Sequence, residues 1–261
     1  MSRYALFIHS TGLGPFMWSK LAPAVPAPLQ ALLPANVGYP PDPPLAPGAP
    51  FTIDLDLARL EAAIPADARE VHLLGHSYGA LLALHLARRL GPLARSAWLY
   101  EPVLFGALAR RRDHVEPAVA GEIAQLFDHP WFAREPSRGG SPEWLEYFID
   151  FWNGPGTWAA MPPPARAVQL ALGWKMACEV RACIADTERF EAHALDLPLT
   201  LAHGEGVPRA GAAMTRALAE VNPDATLEAI AGAGHMGPLG HPARVAPSIA
   251  RHFERLPTTA G

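Results

Sequence analysis

The chain has very little cysteine, no apolar run long enough to cross a bilayer, and no strong excess of charge. Two cysteines occur among 261 residues, Cys178 and Cys183, five apart in a segment that reads as helix, where they do not face each other. They read as ordinary reduced thiols of the core or its margin. No His and Cys residues cluster at metal-ligand spacing, so no metal site is expected. The formal net charge is only −4 and no basic stripe stands out, which argues against a nucleic-acid partner. Arg110-Arg111-Arg112 is the one dense cationic run and reads as a solvated helix face. The longest candidate for a membrane span is interrupted at Arg88-Arg89. Met1-Ser2-Arg3 runs straight into a strand pattern, with no charged-then-apolar leader. The expectation is a cytoplasmic protein that enters no membrane. A second copy of the chain is the one macromolecular partner left open.

What the chain does have is apolar content. Half of its residues are apolar, enough for one large α/β domain with an insertion. Strand patterns appear at Tyr4–His9, Gln30–Leu33, Val71–Leu74, Ala97–Tyr100, Leu199–Ala202 and Thr226–Ile230. The segment 34–50 carries seven prolines in seventeen residues, which fixes φ and removes donors, so it reads as an extended loop. A helix is expected from Ile53 to Ile64, capped by Thr52, with Asp54 and Asp56 in its first turn where the helix dipole favours anions. Ile53, Leu57, Leu60 and Ile64 make its inward stripe. Further helices are expected at Tyr78–Leu90, stopped by Gly91-Pro92, at Ala210–Val221 and at Pro242–Arg255. Between Gly106 and about Leu195 no strand pattern appears, and five of the seven tryptophans lie there.

The most informative segment is 71–80, VHLLGHSYGA. Gly75-His76-Ser77-Tyr78-Gly79 sits between an apolar strand and an apolar helix. A serine on so tight a turn is held in a strained backbone conformation, and the flanking glycines remove the Cβ atoms that would clash there. Such a turn presents the hydroxyl above the C-terminal edge of a sheet and aims the first N–H groups of the helix at whatever the serine attacks. The five letters alone are weak; the strand before them and the helix after them make the signal strong. Ser77 needs a base. Of the eleven histidines most read as bland surface residues. His235, in the glycine-bearing loop after the last strand, can reach back over the sheet edge. His241 shares that loop but precedes Pro242 and reads as a helix start.

Together these segments resemble the α/β-hydrolase family over nearly the whole chain. Tyr4 to Trp18 is similar to that family's strand and oxyanion loop, with His9 and Trp18 matching and Ser10 replacing the usual glycine. Gly232-Ala-Gly-His235 followed by His241-Pro242 is similar to the ending that carries the catalytic histidine. The resemblance implies a mostly parallel sheet of about six strands, because the family's first two strands find no residues here. It also implies a core of residues 1–105 and 196–261 with a helical cap inserted at 106–195. The proline-rich loop would then help protect the strand left at the sheet edge.

The acid departs from the family's usual pattern, since its expected position holds Val207. Two carboxylates remain. Glu205 lies on the same loop. Glu101 ends the strand after the nucleophile helix, and a carboxylate emerging from Ala97-Trp98-Leu99 needs a partner. Glu101 is preferred, and chain order then runs nucleophile, acid, base. Carried over from the family, the oxyanion would be met by the N–H groups of Tyr78 and Thr11, with Ser10 the neighbouring alternative. The resemblance implies a serine hydrolase acting on an ester, thioester, lactone or related acyl bond of a small, largely apolar substrate. The alternatives are non-hydrolytic chemistry on the same triad (a lyase, acyltransferase or cyclase) and a non-catalytic binding module. A fluorophosphonate probe separates the last from the others, and product analysis in labelled water separates the first two.

Overall fold

A computed structural model describes residues 2–257. Its strands are β1 (Ser2–Ile8), β2 (Gln30–Leu32), β3 (Ala68–His76), β4 (Ala94–Tyr100), β5 (Leu199–Gly204) and β6 (Thr226–Ile230). They form one sheet in the order β2-β1-β3-β4-β5-β6, and every neighbouring pair is parallel. Parallel pairing follows from the connections, because the chain must cross back over a face of the sheet between neighbouring strands. Both faces are therefore covered, and the strands read as nearly unbroken apolar runs.

Alternation along each strand sorts its side chains between two cores. Leu6, Ile8, Leu73, Ala97 and Leu99 enter the larger core, which also takes in the helices α1 (Ile53–Ala62), α2 (Tyr78–Leu90) and α8 (Arg209–Glu220). Ala5, Phe7, Leu74, Trp98 and Tyr100 face the smaller core, closed by Met17, Trp18 and the last helix, α10 (Pro242–Glu254), which follows the short α9 (Gly237–Gly240). The edge strand β2 has only three residues, a length that offers little to an incoming strand.

Helix α1 departs from expectation at its start. Thr52 occupies the N-cap with extended backbone, but its side chain accepts no hydrogen bond. Asp54 stays exposed and pairs with Arg89. Asp56 instead turns inward and is fully buried beside Leu57 and Leu60. The dipole argument describes Asp54 well enough and misplaces Asp56, which packing draws into the core.

Between β4 and β5 the chain forms helices joined by turns and irregular segments, with no strand among its described residues: α3 (Phe105–Ala109), α4 (Pro117–Phe127), α5 (Pro142–Asn153), α6 (Thr157–Ala160) and α7 (Pro163–Ala185). Trp144, Trp152 and Trp158 are buried here, and Phe132 stacks on Trp144 at 5.1 Å between ring centroids. These aromatics join the larger core rather than forming a separate one. Arg110–Arg112 follow α3 and do not form a solvated helix face; Arg111 pairs with Glu220 and Arg112 with Asp128. Both cysteines are buried and free. Among the described residues, no helix is long and apolar enough to cross a membrane.

Candidate active site

Ser77 stands alone between β3 and α2, at φ 56° and ψ −121°. Gly75 and Gly79 make that conformation possible. A Cβ on Gly75 would lie 2.6 Å from the Ala80 Cα, and one on Gly79 would lie 2.2 Å from the Ile8 carbonyl oxygen. The first glycine lets the strand meet the helix; the second lets α2 press against the end of β1.

Among the described residues only two that are not glycine have positive φ, Ser77 and Glu101, the latter at 47°. Such strain concentrates where the surroundings over-determine a functional geometry. Glu101 follows β4 and is fully buried. Its N–H donates to the Ala202 carbonyl at 2.8 Å, and its Oε1 accepts the Gly204 N–H at 2.8 Å. The other oxygen, Oε2, lies 2.5 Å from His235 Nδ1. His235 Nε2 in turn lies 3.1 Å from Ser77 Oγ. The structure thus brings Ser77, His235 and Glu101 into one hydrogen-bonded line. Glu205 is exposed, and His241 is the N-cap of α10.

Burial acts on both ionisable members against charge. It pushes the Glu101 carboxyl up, opposed by the Gly204 N–H, and pushes the His235 imidazole down. A neutral imidazole is the form that accepts a hydroxyl proton. Two rings pack against it: Trp152 of α5 stacks on it at 3.7 Å and 16°, and His76 lies 4.9 Å away, tilted by 49°. The Tyr100 hydroxyl donates to the Gly234 carbonyl at 2.7 Å, which fixes the loop from which His235 projects.

Tyr78 is the first residue of α2, and N–H groups there have no acceptor within the helix. Thr11 lies in the loop after β1. That loop is anchored by His9, whose Nε2 accepts the Asn36 N–H at 2.9 Å while Nδ1 donates to the Ser10 carbonyl at 3.0 Å. Burial lowers the His9 pKa to about 4, so the ring is neutral and can do both.

Ser77, His235 and Thr11 border an apolar cavity of about 790 Å³, walled by Phe148, Leu172 and Met176. On the other side of Trp152 a second cavity of about 1060 Å³ carries Glu122, Glu143, Glu146 and Asp150.

Several residues escaped the sequence reading. Seven of the eleven histidines are buried; besides His9 and His235, which the sequence singled out, these are His72, His76, His193, His203 and His252, which are not bland surface residues. Trp152 gave no sign of its place over His235, because the pairing joins two distant segments. A buried cluster of Asp56, Lys175 and Glu179 was also missed. Its one local signal is Lys175 and Glu179 at i, i+4 amid GWKMACEV, charges with too few polar neighbours. Among the described residues one group has the spacing of metal ligands, Asp186, Glu188 and His193, with ligand atoms within 4.8 Å of one another. Cationic and imidazole partners already engage its acids: Arg88 donates to Glu188 at 2.8 Å and His85 lies 2.9 Å from Asp186.

The sequence model of the alpha/beta hydrolase family matches residues 5–248. The chain belongs to that family. No curated protein matches the sequence. Among solved structures, it is similar to the meta-cleavage product hydrolase CumD of Pseudomonas fluorescens, at 16% identity and a TM-score of 0.66 over 97% of this chain and 91% of that one. A thermophilic esterase from Thermogutta terrifontis is 19% identical, with a TM-score of 0.65 over 98% of this chain and 91% of that one. An alpha/beta hydrolase from Sphaerobacter thermophilus is 19% identical, with a TM-score of 0.64 over 97% of this chain and 93% of that one. At these identities the likeness concerns the fold.

Proposed function

We propose that the protein is a cytoplasmic serine hydrolase that cleaves an ester, thioester, lactone or related acyl bond of a small, largely apolar substrate. The observation that carries the reading is the line Ser77–His235–Glu101, with contacts of 3.1 and 2.5 Å inside a buried site. Ser77 Oγ attacks the acyl carbonyl while His235 Nε2 takes its proton. Glu101 holds Nδ1–H and so selects the tautomer whose Nε2 is free to accept. The N–H groups of Tyr78 and Thr11 receive the oxyanion; losing one such donor costs about 3 kcal/mol of barrier height. The tetrahedral species collapses to an acyl-Ser77, His235 gives the proton to the leaving group, and the same base then activates water for deacylation. The chemistry asks for no cofactor.

Residues 106–195 act as a cap, and the apolar cavity beneath them sets the substrate class. The test is a screen of p-nitrophenyl esters of graded chain length, with Ser77→Ala as control. Turnover that vanishes in the variant is expected. Wild-type turnover by Ser77→Ala would sink the reading.

A further inference from the structure

Lys175 is one of only two lysines in the chain, and its side chain is fully buried. Its Nζ lies 2.6 Å from Asp56 Oδ2 and 2.8 Å from Glu179 Oε1, both buried as completely. Phe51 covers the ammonium at 4.0 Å from the ring centroid. A buried ion cluster is a poor source of stability, because desolvation offsets most of the attraction between the charges. Its connections suggest another use.

At one end, the Tyr78 hydroxyl donates to Asp56 Oδ2 at 2.8 Å, and the Val37 N–H donates to Oδ1 at 2.8 Å. At the other end, the Tyr39 hydroxyl donates to Glu179 Oε2 at 2.9 Å and accepts the Gly12 N–H at 2.8 Å. Gln169 adds a bond to the same loop, its Nε2 donating to the Gly12 carbonyl at 2.9 Å. Tyr78 and Thr11 are the two residues whose N–H groups would receive the oxyanion. The Tyr78 side chain is therefore joined to the Thr11-Gly12 loop through one continuous path, Tyr78–Asp56–Lys175–Glu179–Tyr39–Gly12 N–H. The path crosses from α1 to α7, so the helix that carries the ammonium is part of the frame.

We infer that Asp56, Lys175, Glu179 and Tyr39 are positioning residues that set the separation and aim of the two oxyanion donors. The inference rests on the hydrolase reading of Ser77. None of the four touches the reacting atoms; each acts through Tyr78 or through the Thr11-Gly12 loop. A compact ammonium suits the role, since it holds one oxygen from each carboxylate without demanding the planar fork of a guanidinium.

A cluster that merely docks α7 would change stability and substrate affinity alone. Positioning of the donors must appear in kcat. The experiment compares wild type with Tyr39→Phe, Glu179→Gln and Lys175→Met on p-nitrophenyl butyrate, and measures inhibition by phenylboronic acid, whose tetrahedral adduct on Ser77 occupies the oxyanion site. Donor misplacement of an ångström or less lowers rates by up to about 100-fold. Glu179→Gln should therefore lose about 10- to 100-fold in kcat, with KM within about twofold and the boronate inhibition constant weakened in parallel. Tyr39→Phe deletes one hydroxyl and should lose about tenfold in the same pattern, which keeps the test decisive should Lys175→Met fail to fold. Folded Tyr39→Phe and Glu179→Gln with wild-type kcat and boronate affinity, or with a change in KM alone, would overturn the inference while leaving the hydrolase reading standing. A folded wild type that neither turns over esters nor reacts with a fluorophosphonate overturns both.

Discussion

Glu101 and Glu179 are both fully buried glutamates in the same region of the molecule, yet they meet partners of different kinds. Glu101 faces an imidazole at 2.5 Å; Glu179 faces an ammonium at 2.8 Å and a phenol at 2.9 Å. Burial pushes both carboxyls up, and Lys175 holds Glu179 back. An imidazole can gain and lose a proton, so in the proposed mechanism Glu101 sits where charge has to change. The Lys175 cluster sits where charge has only to stay in place. Their supports match these roles. Glu101 and His235 follow strand ends, Glu101 with strained φ, whereas Lys175 and Glu179 lie one turn apart on the 23-residue helix α7.

The comparison can be broken from the reactive side first. Ser77→Ala should lower turnover by about 10⁶-fold, as removal of a triad serine does, while the thermal midpoint hardly moves because one hydroxyl contributes little to folding. Glu101→Gln should lower kcat by about 10⁴-fold by favouring the wrong imidazole tautomer. Glu205→Gln, at an exposed residue, should leave kcat within about twofold if only a surface charge is lost. A large loss in Glu205→Gln with Glu101→Gln unaffected would reverse the assignment of the acid.

On the other side, Lys175→Met leaves two carboxylates facing each other without a cation. Breaking a buried pair in this way destabilises by about 3–5 kcal/mol, which urea unfolding would read directly. A variant as stable as wild type would show that the cluster is not held as ions.

The smallest effects are those of pH. Because burial depresses the His235 pKa, protonation of this ring should lower kcat/KM only well below pH 6.5. A fall already between pH 8 and 6 would report Glu101, whose carboxyl burial pushes up to about 8. Stability has a different acid dependence. His9 and His72 are lowered to about 4 and His252 to about 3 by burial. In the unfolded chain they take up protons as the pH falls through about 6.5, so their contribution is complete above that value and is lost as the pH falls toward 4. Each can add at most about 1.4 kcal/mol per pH unit to the slope. Thermal midpoints measured from pH 7 to 4 should therefore fall; a flat profile would mean that these rings are not buried neutral.

Much of the fold was legible because it is written locally. The helix Tyr78–Leu90 and the strand Thr226–Ile230 have the ends that their sequence patterns predict. The all-parallel sheet follows from helix-length crossovers between strands. Strand ends ran further than expected at β3, which reaches from Ala68 to His76, because pairing with neighbours extends a strand past its apolar run. The thin cap at Thr52 and the burial of His72, His76, His193, His203 and His252 were not legible, since both depend on what packs against the residue rather than on its neighbours in the chain.

By itself the sequence determined the elbow at Ser77, the loop bearing His235 and the short list of acids. A tight turn needs its glycines and a parallel strand its apolar residues within a few positions of each other. Only the tertiary structure decided that Glu101 and not Glu205 meets the imidazole, that Trp152 covers it, and that Lys175 gathers Asp56 and Glu179, with Tyr39 linking them to the Thr11-Gly12 loop. Those contacts join residues far apart along the chain. Their selection rests on desolvation and on the pairing of buried charge, which exist only once the chain has closed around them.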